Sequence, residues 1–344
     1  MKIGLVARCD DTGLGNQTLE LAKILNPDHI LVIDSSPFHP YNVQHSEWYS
    51  QWNSEVIQGI PNKQTVSQFI KKVDVIMSCE TFYNNRFIDM AKQRGKKTIL
   101  QYNFEFLEYL QDPNKTLPDV LLAPSPWRIE EVKERFGGRC RVEFIPPPTD
   151  HKLFSNNKIV NQKETKRILH VGGKAAMHDR NGTQTVLEMM KHSKEDYELI
   201  IRSQSPLDFK VTDSRIKFLV GNEKKREDMY SGYDAMILPR RYAGLCLPMN
   251  EALLSGLPVF MTDISPNNYF LPEEWLAKSK IVGEFMTKTM LDIYEADPVL
   301  LEEKVDKYIA SNKEEEKSKA FKIGYENFSS ESLKNTYLYL ISSL

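Results

Sequence analysis

The stretch richest in ligand-binding signals is Leu238–Asn268, with the sequence LPRRYAGLCLPMNEALLSGLPVFMTDISPNN. It predicts a strand end, a glycine-bearing loop and a helix that begins near Met249. Backbone N–H groups at such a loop and helix start favour phosphate. Glu251 lies one turn inside this apolar helix, where a carboxylate is costly unless paired, so it binds a ribose diol or forms a salt bridge to Arg240 or Arg241. The candidate ligand groups are Gly244, Leu245, Cys246, Leu247 and Glu251.

A second stretch, His170–Met190, places two cations around a glycine-bearing loop that leads into a helix. Lys174 and Arg180 beside a helix N-terminus suit a diphosphate. Their charge matters most when a diphosphate leaves, because negative charge then grows on its oxygens. The alternative is an ordinary loop with surface cations. Gly173, Lys174 and Arg180 are therefore candidate binding residues, and the two cations are also candidate catalytic groups.

The turn after the first predicted strand, Asp10–Thr18 with the sequence DDTGLGNQT, is a third candidate. Gly13 and Gly15 permit close backbone approach and precede a helix N-terminus, so both are candidate binding positions. Thr18 replaces the third glycine of a dinucleotide fingerprint, and only Asp34 follows at about the right distance. A nicotinamide-dinucleotide site is therefore weakly supported. A purely structural turn is the alternative.

The aromatic segment Ser35–Asn53 supplies ring faces of the kind that stack on sugars or on nucleobases. The alternative is a folded loop whose aromatic side chains fill a small core of their own. The candidate ligand-binding rings are Trp48, Tyr49 and Trp52, and the same segment holds Phe38, Tyr41, His39 and His45.

Three carboxylates of the first half follow predicted strands, where open α/β sheets bind ligands. Asp10 and Glu105 are candidates for binding a second substrate. Asp11 is the candidate catalytic carboxylate, which would orient a hydroxyl group of that substrate. No set of His, Cys and carboxylate residues shows metal-ligand spacing, so no metal site is predicted.

The motifs follow short apolar runs that alternate with amphipathic stretches through most of the chain. Apolar runs without polar alternation predict strands covered on both faces, and hence parallel sheets. The predicted strands are Lys2–Arg8, His29–Asp34, Val73–Ser78, Lys97–Tyr102 and Asp119–Ala123 in the first half, and Arg167–Val171, Tyr197–Ile201, Ile216–Val220, Ala235–Leu238 and Pro258–Thr262 in the second.

The segment Ile145–Lys166 opens with three prolines and then turns polar without periodicity, which predicts a linker between two domains. A helix is predicted near Glu223–Ser231, and the chain from Asp297 onward is predicted to be helical. Glu–Lys pairs in Lys313–Lys322 indicate a solvated helix face. The predicted domains are residues 1–153 and 154–326, with a C-terminal helix at 327–344 that packs back on the first domain.

Composition narrows the class of protein. With 344 residues, 27% charged and 41% hydrophobic, the chain fits two globular domains and excludes collagen and disordered classes. Its 45 basic and 47 acidic residues give a net charge of −2, so bulk charge does not indicate a polyanion-binding protein. The four cysteines are scattered, no run reaches the length of a membrane span, and the early acidic residues do not fit a signal peptide. A cytoplasmic enzyme is expected.

Several blocks in order resemble the family-4 retaining glycosyltransferases of the GT-B architecture. VLLAPSPWRIEEVKERFG and VEFIPPPTDHKLF resemble the end of that family's first domain, and RILHVGGKAAMHDRNG resembles the start of its second. FLVGNEKKREDMYSGYDAMILPRRYAGLCLPMNEALLSGLPV resembles its donor-binding core, and RRYAGLCLP is similar to a bacterial and bacteriophage subgroup. The resemblance covers about residues 2–270. It implies two Rossmann-like, doubly wound parallel-sheet domains that face across a cleft, with a C-terminal helical segment.

The resemblance also implies roles for residues. The family places a cation pair on the donor diphosphate, which falls on Lys174 and Arg180 with the two cation types exchanged, and it uses the glutamate at Glu251 on the nucleotide ribose. Its first core glutamate falls on Ala243, and its frequent first-domain histidine has no counterpart in Gln101–Phe106.

The implied reaction transfers a sugar from a nucleotide-diphosphate sugar, with a UDP-sugar favoured, to a hydroxyl acceptor with retention of the anomeric configuration. The leaving diphosphate takes the acceptor's proton on the same face, so neither a strong protein base nor a metal cofactor is expected. The transferred sugar is a hexose or a pentose. The expected partners are the donor and an acceptor glycan, lipid or modified DNA base, and a phage-encoded protein would act in the host cytoplasm.

Three alternatives stay open. The aromatic segment, Arg240–Arg241 and the subgroup resemblance suggest a hydroxymethylated base in phage DNA as the acceptor. The alanine at Ala243 suggests a nucleotide-sugar-binding protein without turnover. A nucleotide-sugar epimerase would need acid–base residues over the sugar, and none is evident.

Overall fold

The computed structural model describes residues 1–155, 166–173, 177–209, 211–311 and 313–344. The chain divides into two compact units. Unit 1 comprises Met1–Thr149 and Ser330–Leu344, and unit 2 comprises Asp150–Ser329.

The strands of both units are short and apolar. Their bounds are β1 Ile3–Arg8, β2 His29–Asp34, β3 Ser54–Gln58, β4 Val75–Cys79, β5 Lys97–Gln101, β6 Val120–Ala123, β7 Arg141–Phe144, β8 Lys166–Gly173, β9 Tyr197–Ser203, β10 Ile216–Val220, β11 Ala235–Leu238, β12 Val259–Thr262, β13 Leu276–Ala277, β14 Ser279–Met286 and β15 Met290–Ala296.

The helices lie mostly between consecutive strands and then fill the C-terminal part of the chain. Their bounds are α1 Gly13–Leu25, α2 Lys63–Ile70, α3 Phe87–Lys92, α4 Ile129–Phe136, α5 His151–Ser155, α6 Thr183–His192, α7 Leu247–Leu254, α8 Asn267–Phe270, α9 Pro298–Ile309, α10 Lys313–Phe328 and α11 Ser330–Ser342.

Unit 1 is built on a parallel sheet with strand order β3-β2-β1-β4-β5-β6-β7. The chain runs outward from β1 in both directions, so the order reverses between β1 and β4. In a doubly wound sheet this point leaves a crevice at the carboxyl ends of the strands. The central strands are buried on both faces, which explains their unbroken apolar sequences.

Helix α11 belongs to unit 1 although it ends the chain. Its Leu333, Tyr337, Leu340 and Ile341 join the core of that unit. The Tyr337 hydroxyl donates to the carbonyl of Pro146 at 2.9 Å and accepts from the amide of Gln101 at 2.9 Å.

Unit 2 repeats the topology with strand order β10-β9-β8-β11-β12-β13 among its described strands, again all parallel. An antiparallel hairpin of β14 and β15 follows as a separate two-stranded sheet. Helix α10 packs along α7, with Ala320, Gly324 and Phe328 buried.

The structure confirms most of the predicted strands, and His29–Asp34, Ile216–Val220 and Ala235–Leu238 match to the residue. The helix predicted near Glu223–Ser231 is a short 3-10 turn at Arg226–Tyr230 instead. The predicted linker contains a packed helix, α5, whose Phe154 is buried against Tyr230 at a ring distance of 5.8 Å. Apolar packing of this one side chain outweighs the polar composition around it.

Candidate functional site

The loop of residues 239–246 joins β11 to α7 and presents backbone donors at the helix start. Within the described part of the chain, the four N–H groups of Gly244–Leu247 donate no hydrogen bond. The residue at the N-cap, Cys246, makes no side-chain cap, and its carbonyl accepts from Met249 at 3.1 Å. Four adjacent unpaired donors at a helix N-terminus form an anion-binding surface.

Arg240 adds a buried positive charge to the same loop. Its side chain is 5% exposed, and Nη1 donates to the carbonyl of Leu245 at 2.6 Å. Among the residues that the structure describes, its Nε has no acceptor and its guanidinium forms no ion pair with a carboxylate. A buried cation without a counter-charge is costly, so the site favours an anionic ligand.

Glu251 on α7 is 4% exposed and is held by two groups of the 3-10 turn Arg226–Tyr230. The guanidinium of Arg226 donates to Oε1 through Nε at 2.8 Å and through Nη2, and the hydroxyl of Tyr230 donates to Oε2 at 2.7 Å. The salt bridge considered in the sequence analysis therefore exists, but its partner is Arg226, since Arg240 and Arg241 point to backbone carbonyls. Burial and the Glu251 charge raise the pKa of Tyr230 well above its usual value.

The second predicted segment packs against this loop. Gly173 ends β8 with a left-handed φ of 69°, and Lys174 lies outside the described residues. The Arg180 guanidinium lies 5.7 Å from the Tyr242 ring centroid. Gly182 has φ of 72°, and a Cβ there would lie 2.2 Å from the carbonyl oxygen of Pro239. Glycine at 182 therefore permits the two segments to touch.

Arg241 joins the two segments directly. Its backbone N–H donates to the carbonyl of Arg180 at 2.9 Å, and its guanidinium donates to the carbonyl oxygens of His178 at 2.7 Å and Tyr294 at 3.1 Å. The β14–β15 hairpin braces this junction, because the Phe285 ring lies between those of His178 and Tyr242. Sequence analysis did not predict the hairpin.

Ala243 lies where the family resemblance places a glutamate. It adopts a left-handed φ of 83° and is buried beside the loop amides. A left-handed alanine is uncommon and stores backbone strain, which clusters at functional sites.

In unit 1, Asp10 is fully buried at the end of β1 and its oxygens are engaged. Oδ2 accepts from Arg8 Nε at 2.9 Å, from Ser35 at 2.6 Å and from Asn42 at 3.1 Å, and Oδ1 accepts from Thr12 at 2.5 Å. Burial alone would raise the pKa of Asp10, but the hydrogen bonds from Ser35, Thr12 and Arg8 lower it to about 2. Asp10 thus holds the strand ends together and offers no free oxygen to a second substrate.

Gly13 and Gly15 of the first predicted turn form the start of helix α1. Thr12 caps this helix, accepting from the N–H of Gly15 at 3.4 Å. A Cβ at Gly15 would lie 1.9 Å from the carbonyl oxygen of Asp10, so the helix start needs glycine there. Gly13 is exposed at the first helical position, and Asp11 is half-buried with its N–H bound to the carbonyl of Val43 at 3.1 Å.

The aromatic segment divides between the unit 1 core and the surface: Tyr49, Trp48 and Trp52 pack on the main core and not in a small core of their own, whereas Phe38 and Tyr41 are exposed. Tyr49 is fully buried, and its hydroxyl donates to the carbonyl of Arg8 at 2.8 Å. Trp48 stacks on His45 at 4.6 Å, and Trp52 Nε1 donates to Asn26 at 3.0 Å. Tyr49 therefore presents no ring face to a ligand in this structure, whereas the two tryptophans are half-buried.

Glu80 and Tyr83 were missed in the sequence analysis. Both follow β4, at the reversal point of the sheet, and both have a left-handed φ of 64°. Oε2 of Glu80 accepts from Asn103 at 3.1 Å. Burial raises the pKa of Glu80, and the nearby charge of Glu105, itself buried, raises it further. In the sequence, Glu80 could have been recognised as a candidate only by its position directly after a buried strand.

Two further features concern the described residues as a whole. No helix there is long and apolar enough to cross a membrane. Nor do three or more His, Cys, Asp or Glu side chains in that part of the chain gather as a metal site would require.

Comparison with known proteins identifies solved structures that share this fold. No family model matches the chain. The putative glycosyltransferase EpsF of Bacillus subtilis is 26% identical over 142 residues, which are 36% of this chain and 37% of that protein, so the match spans well under half of either. The crystal structure of Anabaena Alr3699/HepE in complex with UDP is similar over 100% of both chains, with a TM-score of 0.69 and 13% identity. Sucrose-phosphate synthase from Thermosynechococcus elongatus is similar over 100% of both chains, with a TM-score of 0.66 and 13% identity.

At this level of identity the similarity shows the fold. Two Rossmann-like α/β units on parallel sheets, followed by C-terminal helices, match solved structures of GT-B glycosyltransferases. The predicted fold class is confirmed.

Proposed function

We propose that the protein is a glycosyltransferase that transfers a sugar from a nucleotide-diphosphate sugar, with a UDP-sugar favoured, to a hydroxyl acceptor. The observation that carries the proposal is the anion-binding surface at the start of α7, where, among the residues that the structure describes, four N–H groups donate no hydrogen bond and the Arg240 charge has no carboxylate partner. The full-length likeness to a fold solved with UDP supports a nucleoside diphosphate as the anion.

The donor-binding roles follow from these positions. The amides of Gly244–Leu247 and the guanidinium of Arg240 bind the diphosphate together with Arg180 of the neighbouring segment, and the family resemblance adds Lys174, which lies outside the described residues. Glu251 binds the ribose hydroxyls, and Arg226 and Tyr230 fix its orientation. A ribose hydroxyl competes with Arg226 at Oε1 of Glu251, so donor binding and this ion pair are coupled.

The proposed chemistry retains the anomeric configuration. The bond between the anomeric carbon and the diphosphate oxygen breaks, the acceptor oxygen bonds to that carbon on the same face, and the leaving diphosphate takes the acceptor proton. The cations and amides stabilise the charge that grows on the leaving group. This route draws on no metal ion and no protein base, and we expect chelator-insensitive turnover. The RRYAGLCLP sequence supports the bacterial and bacteriophage subgroup of family 4, and with it the cytoplasm as the place of action, which for a phage-encoded protein is the host's.

A second candidate is a nucleotide-sugar-binding protein without turnover, which Ala243 favours, because no carboxylate stands at that position. The two candidates share the donor site and differ in whether the sugar is transferred.

The test of the proposal is a thermal-shift screen of the wild-type chain against nucleotide sugars, followed by an assay of nucleoside diphosphate release. Ligands that bind only the folded state raise the midpoint. A UDP-sugar that raises the midpoint and is turned over supports the glycosyltransferase. Binding without release with any acceptor supports the second candidate, and absence of binding contradicts both.

The Arg240→Met variant tests the phosphate role of that residue. Loss of a charge-assisted hydrogen bond predicts an affinity for UDP lowered about tenfold or more. Affinity for uridine, which carries no phosphate, stays at the wild-type value, and isothermal titration of both ligands measures the split. The surface substitution Arg135→Met on α4, at an arginine paired with Glu131, is the matched control. An Arg240→Met protein that binds UDP like the wild type contradicts this role.

A further inference from the structure

The carboxyl ends of four adjacent strands in unit 1, β2, β1, β4 and β5, carry most of the ionisable side chains of that sheet edge. Arg8 ends β1, Asp34 ends β2, and Glu80 directly follows β4. The strand order reverses between β1 and β4, so a crevice opens at this edge.

Glu80 occupies this crevice with one free oxygen. Its backbone N–H donates to the carbonyl of Gln101 at 2.7 Å, and Oε2 accepts from Asn103 at 3.1 Å, so both ends of the residue are fixed to β5 and the turn after it. Within the fully described unit 1, Oε1 accepts no hydrogen bond. The side chain is half-buried and therefore open to a ligand.

Aromatic rings lie beside this carboxylate. The Phe38 ring is 38% exposed and stacks on the Tyr83 ring with centroids 6.5 Å apart and an interplanar angle of 29°. The Arg8 guanidinium lies 5.9 Å from the Phe38 centroid and interacts electrostatically with both Tyr83 and Glu80. The crevice thus combines a partly exposed aromatic ring with a fixed hydrogen-bond acceptor.

We infer that this crevice is a saccharide-acceptor site, in which Oε1 of Glu80 accepts a hydrogen bond from an acceptor hydroxyl and the Phe38 face packs on the C–H face of the sugar ring. The inference rests on the proposed glycosyltransferase function and names its acceptor class. Amphipathic rings beside precisely placed polar groups are the usual means of binding small polar ligands.

The charges of the crevice favour a neutral sugar over a phosphate-bearing acceptor. The ends of β1, β2 and β4 contribute the carboxylates Asp10, Asp11, Asp34 and Glu80 and the cation Arg8, whose guanidinium is already paired with Asp10. A nucleic-acid backbone or a phospholipid headgroup would meet this negative field at a cost. Arg240 is buried at the proposed diphosphate site and Arg241 is bound to backbone carbonyls, so neither of these two neighbouring arginines offers an exposed contact to a nucleic-acid phosphate.

The protonation of Glu80 gives a second readout. Burial raises the pKa of Glu80 and the nearby Glu105 raises it further, while Asn103 and Arg8 oppose the shift. Tyr83 is also close, and burial keeps its hydroxyl protonated by raising its pKa. Because protonated Glu80 loses part of its acceptor capacity, acceptor-dependent turnover falls on acidification at a higher pH than an ordinary glutamate would give.

The test measures UDP release by the full chain with a UDP-sugar that shifts its melting midpoint. Three acceptor arms are compared with the acceptor-free rate: neutral disaccharides, duplex DNA containing 5-hydroxymethylcytosine, and phosphatidylcholine vesicles containing diacylglycerol. The variants are Glu80→Gln, Glu80→Asp and Phe38→Ala. Glu55→Gln is the matched control, because Glu55 is a half-exposed carboxylate of β3 in the same unit, 3.6 Å from Lys72.

Disaccharides are expected to stimulate wild-type release. Glu80→Gln lowers the stimulated part about tenfold or more, from the loss of a charge-assisted hydrogen bond. It also removes the acid limb of the pH profile. Glu80→Asp restores part of the stimulation, and Phe38→Ala raises the KM for the disaccharide. The UDP-induced midpoint shift stays at the wild-type value in every variant, and the control Glu55→Gln also keeps the wild-type rates of acceptor-free and disaccharide-stimulated release.

The inference is overturned if Glu80→Gln and Phe38→Ala retain the wild-type stimulation, or if DNA or vesicles stimulate release and no disaccharide does. Phe38→Ala carries the test if Glu80→Gln fails to fold. Failure of the proposed function looks different, because no UDP-sugar then shifts the wild-type midpoint or releases UDP, and the inference falls with it.

Discussion

The two units share a strand order but differ in the charged groups at the carboxyl ends of their strands. In unit 1 the buried carboxylate Asp10 is satisfied within the fold by Arg8, Ser35, Thr12 and Asn42. In unit 2, among the described residues, the loop before α7 leaves four N–H groups without acceptors and the Arg240 charge without a carboxylate partner. The edge of unit 1 is acidic and its buried carboxylate is hydrogen-bonded within the fold. The edge of unit 2 is electropositive, and its donors have capacity for a ligand.

This difference shows that topology fixes where ligands bind and that the loops decide which ligands they are. A doubly wound sheet places a crevice at the same edge in both units. The side chains that follow the strands then set its polarity, and on this basis we propose an anionic ligand for unit 2 and a neutral polyhydroxyl ligand for unit 1.

The largest effect that would break the comparison is expected for Glu251→Ala. It leaves the buried Tyr230 and the half-buried Arg226 without their shared acceptor, which lowers the free energy of unfolding of unit 2 by about 3–5 kcal/mol. UDP binding is lost as well. Urea unfolding and UDP titration measure both effects.

Glu188→Ala on α6, an exposed carboxylate paired with Lys191, is the control and leaves both quantities unchanged. Glu251→Gln keeps one acceptor oxygen and shows the ligand effect if Glu251→Ala does not fold. Wild-type UDP affinity in either variant would contradict the donor role of Glu251.

A smaller effect is expected for Asp10→Asn, and it depends on pH. The pKa of Asp10 is lowered from 3.8 to about 2, so the ionised side chain stabilises unit 1 by about 2 kcal/mol at neutral pH. The contribution is present above pH about 4 and disappears as the pH falls through about 2. The gap in unfolding free energy between wild type and Asp10→Asn therefore narrows between neutral pH and pH 3, and UDP binding does not change.

Denaturant titrations at several pH values follow this gap. A gap that stays constant down to pH 3 would show that Asp10 contributes through packing and not through its charge.

The smallest effect, about 1 kcal/mol, is expected for Tyr49→Phe, which removes the hydroxyl that donates to the carbonyl of Arg8 and contacts the Thr18 hydroxyl. It sharpens the comparison because it weakens the unit 1 core without altering the crevice beside it. Disaccharide-stimulated UDP release stays at the wild-type rate. A loss of stimulation would return Tyr49 to the list of acceptor-binding residues.

Much of the fold could be predicted from the sequence because buried parallel strands have a distinctive pattern. His29–Asp34 and Ala235–Leu238 are uninterrupted apolar runs, and the structure confirms both. The edge strand β3 and the β14–β15 hairpin were missed, since their exposed residues break the apolar run. Phe154 shows the opposite error, because one buried ring turns part of a polar linker into a packed helix.

The sequence predicted which segments hold the candidate ligand groups, but it did not predict the hydrogen-bond and ion-pair partners of those groups. Local sequence marks Glu251 as a carboxylate that needs a partner, because an unpaired charge on an apolar helix is costly. It does not show that Arg226, 25 residues earlier, supplies the partner. The same holds for Asp10, whose four hydrogen-bond partners come from β1, from the helix cap at Thr12 and from the segment after β2.

By itself the sequence determined the alternation of strands and helices, the two parallel-sheet units and the segments that hold the candidate ligand groups, since these depend on local periodicity and on residue type. Only the tertiary structure decided which groups are used internally and which remain open. Hydrogen bonds and ion pairs join residues distant in sequence, so Asp10 became a structural anchor, whereas Glu80, Arg240 and the amides of Gly244–Leu247 kept capacity for a ligand.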